Sequence, residues 1–377
     1  MIPAGWSQKY PPPPALASLS IEDWPAVSPF AWTLRDMLPA PPDAPTVLST
    51  FSCGGGSSMG YKLAGCRVIG AVDIDPRMMG LYVENLHPPE HLVGSISEVA
   101  QNPALVDAWS GVDILDGSPP CTTFSMIGHR EKSWGKVKKF NEGATEQVLD
   151  RLFFDYLDLV DVLRPKVFIA ENVPGMLVGN ARGYVKQIIT TARGIGYDVQ
   201  LWDLRADDYG TPQARRRIFF IGRRRDLGLA PVELPKPIRP RVMIADVFYD
   251  LLNSGTPRDF ALTDMARVFW NLARPGQDGG ELENPYNKQR KRGLGFSQRK
   301  VPWNGTMATL VSSCASEFHP FLKRFISTEE RIRIGGFPDD YSGLDSRTLA
   351  IRVLGMSVPP QLMAAVARSV CARLASP

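Results

Sequence analysis

Val47-Leu48-Ser49-Thr50-Phe51-Ser52-Cys53-Gly54-Gly55-Gly56 opens the regular part of this chain. A short apolar run stops on glycines, which permit positive φ and let backbone approach a ligand closely. The pattern predicts a buried strand at Val47–Phe51 turning into a helix over 58–65. The alternation then recurs. Strands are expected over 67–73, 112–116 and 166–170, helices over 77–86, 145–163 and 182–195, and a last apolar run at Ile218–Gly222. Strands alternating with helices mean an α/β fold: a mostly parallel sheet with helices on both faces.

Outside this core the pattern weakens. Residues 1–45 are proline-rich, with Pro11 to Pro14 in a row and Trp6 and Trp24 scattered among them, and read as an irregular or partly docked extension. Residues 46–222 form the expected catalytic and cofactor-binding domain. From 223 to 317 prolines, glycines and charges dominate, which predicts a smaller irregular domain. Residues 318–377 complete the first domain, with helical patterning near 328–335 and a helix over 361–374 opened by Pro359 and Pro360. A chain of 377 residues with 44% apolar content has room for two such units. No run of about 18 apolar residues predicts a membrane span. The five cysteines form no CxxC pair, which argues against a disulfide framework or a zinc site and fits a reducing cytoplasm. The net charge of +4 is by itself weak evidence for a polyanionic partner.

Four segments carry chemistry. The glycine loop is followed about 20 positions later by Asp73, at the end of the second strand, where a ribose can be held by its hydroxyls. Ile74 is placed to cover an adenine face. Alone, these features equally describe a tight turn and ordinary strand packing. Second, Val112-Asp113-Ile114-Leu115-Asp116 runs into Gly117-Ser118-Pro119-Pro120-Cys121. Two prolines fix φ and aim the next residue rigidly from a strand's carboxyl end, which makes Cys121 a candidate nucleophile once its thiol is activated. The long segment after it carries Arg130, Lys132, Lys136, Lys138 and Lys139 and suits either a lid over phosphates or a solvated basic loop. Third, Lys166-Val167-Phe168-Ile169-Ala170 ends on Glu171-Asn172-Val173. A carboxyl there can face the Watson–Crick edge of cytosine, or be a plain salt-bridged glutamate. Fourth, Gln213-Ala214-Arg215-Arg216-Arg217 leads into a strand. Alternation puts Gln213, Arg215 and Arg217 on one face and Arg216 on the other, either in a site or on a solvated edge strand.

Taken in order, these pieces resemble the cytosine-5 DNA methyltransferases of prokaryotic or phage type. Arg164-Pro165-Lys166, Tyr209-Gly210, Glu330, Gly336-Phe337-Pro338-Asp339 and Gly355 with Val358-Pro359-Pro360 match as well. The resemblance covers about 46–222 and 318–372. It implies the Rossmann-like α/β methyltransferase fold that uses S-adenosyl-L-methionine, leaving S-adenosyl-L-homocysteine, with no metal. It implies double-stranded DNA as partner and a smaller target-recognition domain. Cys121 would attack carbon 6 of a flipped-out cytosine. Glu171 would bond ring nitrogen 3 and the amine, Arg217 would hold the carbonyl oxygen, and Arg215 would brace the cysteine loop. Phe51, Cys53, Gly54, Gly55, Gly56, Asp73, Ile74, Ser95, Ile96, Pro120, Met356 and Ser357 would surround the cofactor. Ser125, Arg130, Lys132, Lys136, Arg223, Arg290, Arg292 and Thr309 would meet DNA.

Three departures stand out. Cys53 replaces the loop's usual first glycine, Ser95 a usual aspartate near the adenine, and Met356 a usual asparagine, which predicts altered cofactor contacts. The 223–317 segment carries two basic clusters, Arg223-Arg224-Arg225 and Lys288-Gln289-Arg290-Lys291-Arg292 with Arg299-Lys300, among Trp270, Tyr286, Phe296 and Trp303. These suit phosphate contacts with loop side chains reading bases. The competing readings are an RNA methyltransferase, an inactive DNA-binding relative and a Rossmann dehydrogenase. The Cys-Phe-Thr signature of tRNA-directed relatives is absent from the insert. A cytoplasmic monomer, working beside a separate restriction endonuclease, is the expected setting.

Overall fold

The computed structural model describes Ser28 and residues 30–120, 151–179, 181–252, 262–279, 298–313 and 316–375. Its centre is a seven-stranded sheet: β1 (Thr46–Thr50), β2 (Arg67–Asp73), β3 (His91–Val93), β4 (Ile114–Gly117), β5 (Val167–Asn172), β6 (Tyr197–Arg205) and β7 (Arg216–Arg224). The spatial order is β3-β2-β1-β4-β5-β7-β6. The first five strands are parallel, and β7 runs antiparallel to both β5 and β6. The chain winds outward from β1 in one direction and from β4 in the other. The sheet therefore has a switch point between β1 and β4, where a crevice opens at the strands' carboxyl ends.

The helices are α1 (Gly56–Leu63), α2 (Pro76–Leu86), α3 (Ile96–Gln101), α4 (Pro103–Trp109), α5 (Leu152–Leu163) and α6 (Ala181–Gly194). Then follow α7 (Ile244–Phe248), α8 (Asp264–Leu272), α9 (Thr328–Gly335), α10 (Arg347–Met356) and α11 (Pro360–Leu374). Alternate strand residues feed two cores. Val47, Ile114, Val167, Ile169, Phe219 and Ile221 pack under α1 and α11. Leu48, Leu115, Phe168, Ala170, Ile218 and Phe220 pack under α3, α4, α5 and α6. Burial on both faces explains why these strands read as continuous apolar runs. The stretch Arg347–Leu374 is long and apolar enough to cross a membrane by composition, yet 72% of its most apolar window is buried in the protein.

A third core joins the catalytic layer to the described part of 223–317. Met78, Met79 and Leu86 of α2 share it with Ile244, Phe248, Val301, Trp303, Met307 and Leu310. Arg333 of α9 clamps this junction, reaching Asp250 at 2.5 Å and Asp339 at 2.7 Å. The extension docks on the same place. Trp32 Nε1 donates to Gly336 O at 3.1 Å, and Leu34 N–H donates to Asp340 at 2.7 Å. In 298–318 a small parallel pair forms, β8 (Gln298–Lys300) with β9 (Ser316–Phe318).

Most expected elements occur within two residues of their predicted bounds. Strand 166–170 extends through Glu171 and Asn172, and the last apolar run begins earlier, at Arg216. β3, β6, α3, α4 and α10, and the short elements α7, α8, β8 and β9, have no counterpart in the sequence reading. β6 is an edge strand whose residues alternate Asp198, Gln200, Asp203 and Arg205 with apolar neighbours, so no continuous apolar run marks it.

Candidate active site

The glycine loop crosses from β1 to α1 at the switch point. Phe51 and Cys53 both take positive φ, 52° and 46°, a cluster of backbone strain that non-glycine residues rarely adopt. The Cys53 N–H donates to Asp73 Oδ2 at 2.7 Å, and Asp75 N–H donates to Asp73 Oδ1 at 2.9 Å. The turn is thus fastened to the end of β2. The glycines serve close packing. A Cβ on Gly55 (φ 83°) would lie 2.3 Å from Leu86 Cδ1, and one on Gly56 would lie 2.2 Å from the Val358 carbonyl oxygen. Burial and the nearby Asp73 charge push the Cys53 thiol up to about 11, which makes it a packed thiol rather than a nucleophile.

Two adjoining cavities lie above the strand ends and share Phe51, Asp73, Ile74 and Pro120. The smaller, about 40 Å³, continues past Ser95, Ile96 and Leu152. The larger, about 410 Å³, is lined further by Cys53, Asp75, Met78, Ser118, Arg352 and Met356. A space of this size suits a ligand of nucleoside dimensions. Phe51, Ile74 and Pro120 offer apolar surfaces for a ring, and Asp73 offers a carboxyl for hydroxyls. Burial raises Asp73 to about 6. The residues therefore fit an adenosyl cofactor. Ser95 caps α3, accepting from Ser97 N–H at 3.2 Å. The Ser357 hydroxyl donates to Val353 O at 2.8 Å and lies 3.7 Å from Cys53 Sγ. Gly54, Gly55 and Gly56 sit behind Cys53 and line neither cavity.

Beside the cavities lies a polar cluster. Glu171 is the penultimate residue of β5 and Arg217 the second of β7, with Arg217 Nε 2.7 Å from Glu171 Oε1 and both side chains nearly buried, at 12% and 10% exposure. Burial pulls the Arg217 guanidinium down, while Glu171 holds it up. The alternation predicted at 215–217 is present. Arg215 is buried and Arg216 points outward to Asp203. β7 is an interior strand, so the solvated-edge alternative does not apply. Arg215 donates to the carbonyls of Leu310 (3.4 Å), Gly355 (2.8 Å) and Met356 (3.2 Å). Burial lowers it to about 9. Among the described residues it therefore braces the junction of α10 with the 307–310 segment. Gln213 ties the same segment to α9, donating to Ile334 O at 3.2 Å and accepting from Leu310 N–H at 3.0 Å. Asn172 Nδ2 donates to Pro119 O at 3.0 Å, tying the end of β5 to the proline pair that precedes Cys121. Beneath them Asp116 is buried, accepts from Tyr61 (3.1 Å) and Ser49 (3.3 Å), and is raised by burial to about 7.

Several expected residues lie elsewhere. Cys121, Ser125, Arg130, Lys132, Lys136, Arg290 and Arg292 fall outside the described residues. Thr309 is half-buried beside the Gln213–Leu310 contact. Arg223 lies away from the cavities. It pairs in register with Val167 and Asp198 at the far end of the sheet, and its guanidinium donates to Leu229 O. Arg224 and Arg225 are held there too, by Arg164 O and by Asp198. In the second basic cluster, Arg299 pairs with Asp278 at 2.7 Å. Lys300 is buried, with Nζ 3.8 Å from the Trp270 ring centroid. Trp303 is a core residue. Among the described residues no group of three or more His, Cys, Asp or Glu is placed to hold a metal. Sequence reading missed Asp75, Met78, Ser118 and Arg352. An Asp-Pro helix start signals the first, since Asp75 caps α2 at its Arg77 N–H. The spacing of four from Met356 would have signalled Arg352 had α10 been expected.

Comparison with known proteins points one way. Residues 46–372 match the family model described as C-5 cytosine-specific DNA methylase. The chain is 27% identical over 340 residues to the Type II methyltransferase M.NgoFVII of Neisseria gonorrhoeae, covering 86% of each. It is 28% identical over 374 residues to M.XorII of Xanthomonas oryzae, covering 85% of this chain and 83% of that one. A solved structure described as a DNA modification methyltransferase encoded within an E. coli prophage superposes with TM-score 0.65 at 24% identity. It covers 88% of this chain and 100% of the other, which shows a shared fold.

Proposed function

The chain belongs to the C-5 cytosine-specific DNA methylase family, and from that premise we propose that it methylates carbon 5 of a cytosine flipped out of a specific duplex DNA sequence, through a covalent bond to Cys121. One observation supports this most: the nearly buried Glu171–Arg217 pair stands beside the proline pair that leads into Cys121. When bound, S-adenosyl-L-methionine supplies an electrophilic methyl group.

The chain's own residues do the rest. Carbon 6 of a stacked cytosine is out of reach, so the base must leave the helix. The Cys121 thiolate adds to carbon 6, which makes carbon 5 nucleophilic. Glu171 meets ring nitrogen 3 and the exocyclic amine, and Arg217 moves from Glu171 toward the carbonyl oxygen, so that charge developing on the ring faces fixed partners. Arg215 holds the 307–310 segment to α10 and Gln213 holds it to α9, which keeps the base side and the cofactor side in register. Phe51, Asp73, Ile74 and Pro120 orient the nucleoside half of the cofactor. Loss of the carbon-5 proton and release of Cys121 complete the turnover. The names of the Type II relatives support a restriction–modification setting. We add to the proposal a monomeric enzyme that acts on double-stranded DNA, with a cognate endonuclease as a separate protein.

Tritiated S-adenosyl-L-methionine offered with duplex DNA and, separately, with tRNA tests this reading. Label is expected in duplex DNA, as 5-methylcytosine after nucleoside digestion. Label confined to tRNA, or found on another base, would contradict it.

A further inference from the structure

We propose that the Arg352–Asp75 ion pair reads the α-amino acid end of the cofactor, Arg352 taking the carboxylate and Asp75 the ammonium. The inference rests on the cofactor reading above. Arg352 Nη2 lies 2.9 Å from Asp75 Oδ2, and both residues line the larger cavity and not the smaller one. The smaller cavity takes the purine end of a ligand, past Ser95 and Ile96, and Asp73 lies where the two meet. A tail extending from the ribose therefore enters the part of the space that holds Arg352 and Asp75.

That tail is a zwitterion, and its counterpart is on the wall. A guanidinium presents five N–H donors in a fork suited to a carboxylate, so Arg352 can hold one alongside Asp75. Asp75 sits at the head of α2, where its other oxygen caps Arg77 N–H at 3.0 Å. This fixes the carboxylate in place before any ligand arrives. Met356, one turn after Arg352 in α10, lines the same cavity and has no donor to offer a carboxylate. Recognition at this end thus passes to Arg352.

Calorimetric titration of the full chain with three probes tests the proposal. The probes are S-adenosyl-L-homocysteine, its decarboxylated counterpart and 5′-methylthioadenosine, which has no tail. The wild-type protein should bind the decarboxylated probe at least about tenfold more weakly than S-adenosyl-L-homocysteine. Arg352→Met should remove that difference while leaving 5′-methylthioadenosine binding within about twofold, and Arg352→Lys should keep part of it. Asp75→Asn should weaken both tailed probes and spare the tail-less one. Equal wild-type affinity for the two tailed probes, or discrimination that survives Arg352→Met in a protein with wild-type melting behaviour, overturns the proposal. Wild-type binding of 5′-methylthioadenosine with no discrimination between tails rejects the ion-pair role alone. Failure of all three probes to bind wild type removes the cofactor reading with it.

Discussion

β7 carries arginines at both ends, and the two ends have opposite fates. At its start, Arg217 is nearly buried against Glu171, and Arg215 just before it is fully buried on three carbonyls where α10 meets the 307–310 segment. At its finish, Arg223 and Arg224 donate to the carbonyls of Leu229 and Arg164, and Arg225 pairs with Asp198 in the open. Residue type and local density are the same. What differs is the end of the sheet. Charges beside the carboxyl ends of β1, β4 and β5 meet the crevice, whereas those at the other end only finish the strand.

The hardest blow to this contrast comes from Glu171→Gln. It should lower methyl transfer by about 10²–10⁴-fold, as expected for loss of a group that stabilises developing charge, while the melting temperature stays close to wild type. A variant that retains full activity in a steady-state label assay would break the contrast. Next is Arg215→Met. Removing a buried cation strands three carbonyls and should cost about 3 kcal/mol in urea unfolding, against about 1 kcal/mol or less for Arg223→Met at the other end. Equal costs would mean that the two ends are energetically alike.

Asp116 sharpens the contrast from below the site. Its pKa is raised from 3.8 to about 7 by burial, so the folded state holds this proton more tightly than the unfolded chain does. Its contribution to stability is full below pH 4 and is lost as pH rises from 4 to 7. Asp116→Asn should therefore gain on wild type across that window, by on the order of 4 kcal/mol, and run parallel to it above pH 7. Urea titrations at pH 5 and 8 measure the gain, and a pH-independent difference would show that the carboxyl ionises freely. The smallest effect is expected for Arg225→Ala. Stability should change by no more than about 0.5 kcal/mol, and the dependence of DNA affinity on salt should keep its slope. A shallower slope in a filter-binding series would return this end of β7 to the DNA surface.

The sheet and its helices were legible because strands buried on two faces leave unbroken apolar runs, as at Val47–Phe51 and Ile218–Gly222. β6 escaped because an edge strand alternates with charge. The polar cluster was half legible. Spacing alone put Arg215 and Arg217 on one face, but only the fold shows that Arg217 meets Glu171 and that Arg215 turns to α10. Two cations of the basic runs have partners that sequence could not show. Neither the partner of Arg223 nor that of Lys300 is adjacent in sequence, so both looked like open cations. Arg352 was hidden because it lines the cavity from a helix whose pattern the sequence did not reveal.

Covalent capture bears most directly on the central claim, that a cysteine-led centre forms beside the Glu171–Arg217 pair. Duplex DNA with 5-fluorocytosine at the methylated position, incubated with the protein and S-adenosyl-L-methionine, should give a protein–DNA band that survives denaturing electrophoresis, and Cys121→Ser should abolish it. Efficient methylation of ordinary duplex DNA with no such band, or a band that persists in Cys121→Ser, would contradict the account.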